Sequence, residues 1–237
     1  TKAEVDAIVE TPNGVVTYAG TTAIDGVPGT AAPVRLNFRS AIGSVTGKLL
    51  PTGRPIDVID GVEVSCVDVA MPMVLIPAEQ VGKTGHEGAN ELDADVALLA
   101  RMEAIRRQAG ELMGLGDVSK SVVPKIGLMA RPAKGGTISS RYFVPYACHK
   151  AHAVTGAVCV AAACATPGTI AQRLSGLPDT SPQGVVEIEH PSGSIAIDLN
   201  VELGGDHPVI HRAAPTRPAA RLFEGNVLIP DQVMADA

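Results

Sequence analysis

The side chains best able to do chemistry are concentrated between positions 145 and 168, which read PYACHKAHAVTGAVCVAAACATPG. Thiols, imidazoles and an amine stand close together there, and two more thiols follow in an uncharged run: Cys148, His149, Lys150, His152, Cys159 and Cys164. Such a set is compatible with three kinds of site. These are a metal centre, a cysteine nucleophile with its base, and an anion site built from backbone amides.

The metal interpretation takes Cys148, His149 and His152 as ligands, together with one of the two later cysteines. Zinc sites usually place their ligands in short C-x2-C or H-x3-H pairs, and this spacing differs from both. The Lys150 ammonium would also repel a cation. We therefore expect no metal, and we interpret Cys159 and Cys164 as small core residues of a buried helix.

A nucleophilic cysteine needs a lowered pKa, which a helix start or a cationic neighbour can provide. Cys148 meets that condition best, because His149 and Lys150 follow it directly. Cys159 is the second candidate, although an apolar helix wall would raise its pKa. Both stay open at this point.

The backbone interpretation places the start of a helix at Thr155, Gly156 and Ala157. Thr155 is the expected N-cap, and the next two residues have almost no side chain to hide the free amides of the first turn. The residues His149 and Lys150 add positive charge upstream. This arrangement predicts a carboxylate or phosphate site.

Two tight bends are additional candidates for substrate contacts. Met71 and Pro72 follow Ala70 between two apolar runs, and Ser192 and Gly193 close a turn after His190-Pro191. Thr84-Gly85-His86 is a weaker candidate. No dinucleotide fingerprint, phosphate loop or nucleophile-elbow motif occurs, and we expect no cofactor.

The elements that must position these residues alternate between sheet and helix. A hairpin is expected from Lys2 to Tyr18 with Asn13-Gly14 at its tip. A long helix is expected from a cap at Asn90 or Asp93 to Met113, with Arg101, Arg106 and Arg107 on its outer side. Further strands are expected at 34–38, 62–69, 73–77, 125–129, 138–144, 185–189, 195–201, 209–213 and 220–229. This order predicts an α+β fold with sheets wrapped around buried helices.

Composition excludes several classes of protein. The net charge is −6, and the 237 residues include no Trp, three Tyr and three Phe, so a nucleic-acid partner is not expected. Four dispersed cysteines and the absence of a visible leader predict a cytoplasmic protein. The longest uncharged run is broken by Pro167-Gly168, which argues against a membrane span.

Several stretches, read in order, resemble one family. They are YAGTTAIDGVPGTAAPV, LLPTG, GVEVSCVDVAMPMVL, VGKTGHE, RMEAIRRQAGELMGLGDVSKSVVPK, the GGT and FVPYACH passage, and EHPSG. They look like the propionate-pathway methylaconitate isomerase family, and most like its 4-oxalomesaconate tautomerases or Δ-isomerases. The resemblance covers nearly the whole chain.

The resemblance implies a diaminopimelate-epimerase-like fold of two similar domains, each with a sheet around a central helix. It implies that this chain corresponds to the C-terminal two-thirds of such an enzyme. Residues 1–60 would complete the first domain and the crossover, 61–215 would form the second domain, and 216–237 would return to the first.

The implied reaction is a cofactor-free proton shift, allylic or keto–enol, in an unsaturated tricarboxylic acid such as 4-oxalomesaconate. In the family, a Lys and a Cys-Gly-Asn segment thought to move the proton lie ahead of the point that matches Thr1. No catalytic residue is therefore assigned here. The expected partner is a polycarboxylate substrate, and a homodimer is left open.

The expected substrate-binding residues combine both lines of inference: Met71, Pro72, His149, Lys150, Thr155, Gly156, Ala157, Ser192 and Gly193. One departure from the family pattern affects them. Where the tautomerases typically read D-N-G-M-P, this chain reads Asp68-Val69-Ala70-Met71-Pro72. Two other functions stay open, a methylaconitate or aconitate isomerase and a non-catalytic protein that binds small acids.

Overall fold

The structure is a computed structural model that describes residues 4–25, 27–39, 41–175, 177, 183–202, 209–221, 223–226 and 228. The strand start expected at Lys2 lies outside these ranges, as do residues 229–237. No helix in the described ranges has both the length and the apolar character needed to cross a bilayer.

Ten strands form one mixed sheet in the order β1-β4-β12-β11-β10-β9-β8-β7-β6-β5, and two short strands, β2 and β3, pair separately. In chain order the strands are β1 (Glu4–Val9), β2 (Thr22–Ile24), β3 (Val27–Ala31), β4 (Pro33–Arg39), β5 (Asp57–Ile59), β6 (Val62–Val69), β7 (Met71–Pro77), β8 (Lys125–Ala130), β9 (Ile138–Phe143), β10 (Gln183–His190), β11 (Gly193–Glu202) and β12 (Val209–Pro218).

Four α-helices accompany the sheet: α1 (Ala89–Asp93), α2 (Val96–Leu112), α3 (Val154–Cys164) and α4 (Ile170–Ser175). α3 is buried on all sides from Gly156 to Cys164, and it contacts strands β6, β7, β10, β11 and β12. Its Gly, Ala, Val and Cys side chains are small enough for the sheet to approach closely. This confirms the expected α+β architecture with a sheet around a buried helix.

The two faces of the sheet build separate cores. Met71, Met73 and Leu75 of β7 pack with α3, whereas Val74 and Ile76 pack with α2 on the opposite face. Successive side chains of a strand point to opposite faces, so both cores use the same strands. The continuous apolar runs of β6 and β7 are explained by this double burial.

Several expectations about the elements are wrong. β1 pairs with β4, from Glu4 opposite Arg39 to Val9 opposite Val34, and not with residues 15–18, which form no strand. Asn13 has φ of 55° and lies in a short 3-10 turn that precedes a long connection. Tertiary pairing with a distant strand has therefore replaced the local hairpin that Asn-Gly favours.

The long helix also differs from its prediction. It is interrupted at residues 94–95, and Asp95 is its N-cap. Arg106 is fully buried rather than exposed on the outer side, because its guanidinium binds Glu103 and the carbonyls of Val118, Ser121 and Val123. The loop after the helix, and not solvent, covers this position.

The proposed domain limits at 60/61 and 215/216 stay predictions. β12 pairs with β11 up to Pro215, and from Thr216 onwards it pairs with β4. The strand expected at 209–213 thus extends to Pro218. Among the described residues between 220 and 228, none lies in a strand.

Candidate functional site

Several strands meet the start of α3 at one end of the sheet. β7 and β8 run parallel and begin there, at Met71 and Lys125. β9 runs antiparallel to β8 and ends there at Phe143, and β10 runs parallel to β9 and ends there at His190. The topology therefore gathers residues that are far apart in sequence around one helix end.

The helix begins two residues earlier than the sequence predicts. Ala153 is the N-cap, with φ −73° and ψ 139°, and no side chain caps the helix. Thr155 is the second helical residue, so its expected capping role is wrong. The amide of Ala157 already bonds the Ala153 carbonyl at 2.8 Å, which leaves Val154, Thr155 and Gly156 as the residues whose amides lack an intrahelical acceptor.

Two hydroxyl groups meet the sulfur of Met71 beside this helix start. The Tyr142 and Thr155 hydroxyls each donate to Met71 Sδ at 3.3 Å. A thioether is a weak acceptor, so both donors keep most of their capacity to bind a stronger one. Burial raises the pKa of Tyr142 well above its ordinary value, so its hydroxyl carries its proton throughout the physiological range.

Gly156 is required by the packing of Tyr142 over the helix. A Cβ atom built at Gly156 would lie 2.5 Å from Cε2 of the Tyr142 ring. The ring also stands 5.0 Å from His152 and 6.2 Å from His149, measured between centroids. The Tyr142 ring thus occupies the space that a side chain at Gly156 would take in the first turn of α3.

His152 is a neutral part of this cluster. Its Nδ1 lies 3.0 Å from the Ala153 carbonyl, which can only accept, so Nδ1 carries the proton and Nε2 accepts from the Ser140 hydroxyl at 3.0 Å. Burial lowers the pKa of His152 to about 4. It orients the entry to α3 and supplies no positive charge at neutral pH.

The two basic residues expected at the site, His149 and Lys150, lie in different surroundings. His149 Nδ1 accepts a hydrogen bond from the Ala151 amide at 3.0 Å, and its ring reaches the edge of the Tyr142 cluster. Lys150 is exposed. The structure therefore brings His149 to the site. None of the described contacts places the Lys150 side chain there.

The cysteine interpretation loses its physical basis. Burial raises the pKa of each thiol, at Cys66, Cys148, Cys159 and Cys164, to about 12. Cys159 and Cys164 are completely buried in α3, as the core interpretation expects. Within the ranges the structure describes, no group of three or more His, Cys, Asp or Glu side chains could hold a metal ion.

The bend at Met71 and Pro72 is tighter than its sequence indicates. Ala70 alone joins β6 to β7, with φ of 60°, in the left-handed region that favours glycine. Its amide bonds Ala41, and the neighbouring Asp68 carboxylate binds the loop at residues 44–46. These contacts fix the backbone so that the Met71 side chain faces α3, whereas Pro72 lies in the strand pair.

The second bend, at Ser192 and Gly193, follows a histidine that the sequence analysis did not propose as a site residue. His190 ends β10 on the same face as Ile188, and its Nδ1 accepts from the Ser192 amide at 3.3 Å. Gly193 has φ of 150°, and a Cβ there would lie 2.1 Å from Asp25 Oδ2. Ser192 therefore closes the turn, and Gly193 lets Asp25 approach.

Tyr142 is the other important omission. Its neighbours in sequence are serines, an arginine and a phenylalanine, so no local motif marks it. Its position on the α3 face of β9 could have been suggested by the period-2 spacing from Ile138, which puts both side chains on one face of the strand. Only the fold shows that its hydroxyl reaches Met71 of β7.

A cavity of about 470 Å³ lies elsewhere, lined by Pro77, Thr84, His86, Arg131 and other residues at the far end of β7 and β8. It is separated from the helix start by the length of these strands. The weak candidate Thr84-Gly85-His86 belongs to that cavity and not to the α3 cluster.

Comparison with protein families identifies the family of this chain. The model of the PrpF protein family matches residues 1–230. The chain belongs to the PrpF family. This confirms the resemblance seen in the ordered sequence motifs.

Individual PrpF-like relatives are similar over almost the whole chain. Identity is 50% to "Putative isomerase YbhH" of Escherichia coli (strain K12), covering 95% of this chain and 63% of the relative. Identity is 46% to 4-oxalomesaconate tautomerase of Pseudomonas putida, covering 94% of this chain and 60% of the relative. The chain thus spans less than two-thirds of the length of these proteins.

A solved structure supports the same fold. The crystal structure of a methylitaconate-delta-isomerase superposes with a TM-score of 0.84 at 32% identity, covering 95% of this chain and 62% of that one. The wrapped sheet and buried α3 are therefore features of the PrpF-type fold.

Proposed function

We propose that the protein to which this chain belongs is an isomerase that moves a proton within an unsaturated tricarboxylic acid, without a cofactor. The favoured substrate is 4-oxalomesaconate, an acid of aromatic-compound degradation of the gallate and protocatechuate type. The name of the P. putida relative supports this choice of substrate. Its 46% identity covers nearly the entire sequence described here.

One observation carries the proposal. The hydroxyls of Tyr142 and Thr155 donate to the Met71 thioether, and beside them the first amides of α3 have no side-chain cap among the described residues. Hydrogen bonds to a charged acceptor are roughly twice as strong as neutral ones, so a carboxylate or enolate oxygen would displace the sulfur. The positive end of the helix dipole favours the same charge.

The chemistry follows from where charge develops. When a proton leaves the carbon or hydroxyl at one end of a conjugated system, negative charge spreads into a dienolate and reaches the carboxylates. Fixed donors that already point at those oxygens stabilise this charge without rearranging. The proton then returns at the other end, so the acid is isomerised and nothing else is consumed.

The described candidate groups are assigned to binding rather than to proton transfer. The four thiols have pKa values raised to about 12, and both nitrogens of His152 already have partners. We propose that Met71, Pro72, His149, Thr155, Gly156, Ala157, Ser192 and Gly193 shape the substrate site. Lys150 would contribute only a distant charge from the surface.

A second candidate function is an allylic isomerase of the methylaconitate or aconitate type. The similarity to methylitaconate-delta-isomerase favours it. Replacement of the expected D-N-G-M-P amide by Val69 is in keeping with a different substrate. A non-catalytic acid-binding protein is the remaining alternative.

An absorbance assay of the full-length protein separates these alternatives. We expect conversion of 4-oxalomesaconate, with slower or no conversion of methylaconitate and aconitate. Tyr142→Phe should lower kcat/KM by about 100-fold, since it removes one donor to the developing charge. Tyr18→Phe is the matched control, because Tyr18 is half exposed beneath Arg221, and it should retain full activity.

Two results would contradict the proposal in different ways. If the wild-type protein converts none of the three acids, the isomerase assignment is wrong. If it converts one of them but Tyr142→Phe is equally active, the function stands and the donor cluster at α3 is not the site.

A further inference from the structure

Lys125 is a buried cation that the described residues leave without a counter-ion. Only 6% of its surface is exposed. Within the described ranges no hydrogen bond and no ion pair involves its ammonium, and the Arg106 guanidinium repels it. A largely buried lysine is rarely left unpaired, so this position favours an anionic ligand.

The strand register places Lys125 beside the donor cluster. Met73 of β7 lies next to Lys125, and Gly127 of β8 lies between Leu75 of β7 and Tyr142 of β9. Met71 and Tyr142 are therefore diagonal neighbours of Lys125 on the two flanking strands. Diagonal neighbours lie about 7–8 Å apart, within reach of a long side chain.

The face of the sheet is fixed by alternation. Ile126 and Leu128 of β8 pack into the α2 core, so Lys125 and Gly127 belong to the opposite face, towards α3. Met71, Met73 and Tyr142 are on that face as well. Lys125 thus leaves the sheet on the same side as the uncapped helix start.

The hydrogen bond from Tyr142 to Met71 makes this placement specific. It joins β9 to β7 and passes over β8, the strand between them. The two β8 residues on that face at this level are Lys125 and Gly127, and Gly127 has no side chain. Lys125 is consequently the β8 side chain that borders the cluster of Met71, Tyr142 and Thr155.

We propose that Lys125 is a substrate-binding residue whose ammonium pairs with a carboxylate of the bound polycarboxylate, beside the α3 amides and the Tyr142 and Thr155 hydroxyls. This inference rests on the proposed function for the identity of its ligand. Lys125 would supply the positive charge that the sequence analysis predicted at His149 and Lys150. Those residues stand upstream of the helix, whereas Lys125 stands beside its first turn.

The test uses the full-length protein and two readouts, thermal unfolding without ligand and binding of tricarballylate, a saturated tricarboxylate that cannot isomerise. Lys125→Met keeps the length of the side chain and removes its charge. We expect an equal or higher Tm, because an unpaired buried charge is removed, together with a dissociation constant raised about tenfold or more. Lys125→Arg should recover part of the affinity.

Lys120→Met is the control for a general change in charge, since Lys120 is exposed in the preceding loop. It should alter neither Tm nor affinity. A lower Tm for Lys125→Met with unchanged tricarballylate affinity would overturn the inference, because it would show a structural partner. Unchanged Tm and unchanged affinity would overturn it as well.

The binding role of Lys125 and the isomerase function can be disproved separately. If the wild type binds tricarballylate through Lys125 but converts none of the unsaturated acids, the binding role stands and the isomerase proposal fails. If the wild type is active and Lys125→Met has the same KM and tricarballylate affinity, the isomerase proposal stands and the role of Lys125 fails. If the wild type neither binds nor converts these acids, both fail.

Discussion

The two longest helices of the described chain begin in opposite ways. α2 begins after Asp95, whose carboxylate accepts from the Leu98 amide at 2.9 Å and pairs with Lys83 Nζ at 2.7 Å. α3 begins after Ala153, which has no side chain able to cap it. The first turn of α2 thus has a side-chain cap, and the first turn of α3 has none.

The buried cations on the two faces repeat this contrast. Arg106 of α2 is bidentate to Glu103 and also bonds three carbonyls. Lys125 on the α3 face has no such partner within the described residues. The buried cation on the α2 face is therefore paired within the structure, whereas we propose that the one on the α3 face pairs with a bound anion.

The largest effect on stability is expected at Arg106. Arg106→Met leaves Glu103 and three carbonyls without their donor, and this should lower the free energy of unfolding by about 3 kcal/mol. Urea denaturation of the full-length protein measures the change. Arg107→Met is the matched control on a half-exposed neighbour, and it should change stability by less than about 0.5 kcal/mol. Equal effects of the two variants would remove the contrast between the faces.

The next effect tests whether the missing cap of α3 serves function. Ala153→Asp should supply the absent cap and raise the free energy of unfolding by about 1 kcal/mol. The same carboxylate would occupy the amides and repel a substrate carboxylate, so kcat/KM should fall about tenfold or more. A stabilised variant with full activity would contradict the account.

The reciprocal change at α2 sharpens this comparison. Asp95→Ala removes the cap and the Lys83 partner and should lower the free energy of unfolding by about 1 kcal/mol. Steady-state kinetics should show wild-type KM, because α2 packs on the other face of the sheet. A rise in KM as large as that of Ala153→Asp would mean that the two helix starts do not have separate roles.

The smallest effect is expected at the bend before Met71. Ala70 adopts φ of 60°, which an L-residue with a Cβ atom disfavours. Ala70→Gly should relieve this strain, but it also makes the unfolded chain more flexible, which offsets part of the gain. The net stabilisation should be less than about 1 kcal/mol. Thermal unfolding measures this change, and a destabilised variant would show that the bend is not strained.

The sequence predicts the architecture better than it predicts the geometry of the site. The uncharged Gly-Ala-Cys run correctly indicates a buried helix. The anion site predicted at the amides near Thr155 stays a prediction. The cap position is wrong by two residues, because the helix already begins after Ala153 and Thr155 lies in its first turn.

The residues missed by the sequence analysis are those that long-range pairing brings together. Tyr142, Lys125 and His190 lie on three different strands, and no spacing in the sequence relates them to Met71. Arg106 was misplaced for the same reason, because the loop at 118–123 that covers it returns after the helix has ended. Local periodicity cannot reveal a partner supplied by a distant segment.

The most direct test of the central claim follows the backbone amides of the two helix starts during titration of the full-length protein with tricarballylate. Amide ¹H–¹⁵N chemical shifts of Val154, Thr155 and Gly156 should change and saturate with the ligand, whereas that of Leu98 should stay constant. Saturable binding that leaves the amides of residues 154–156 unchanged would contradict the claim that α3 holds the carboxylate.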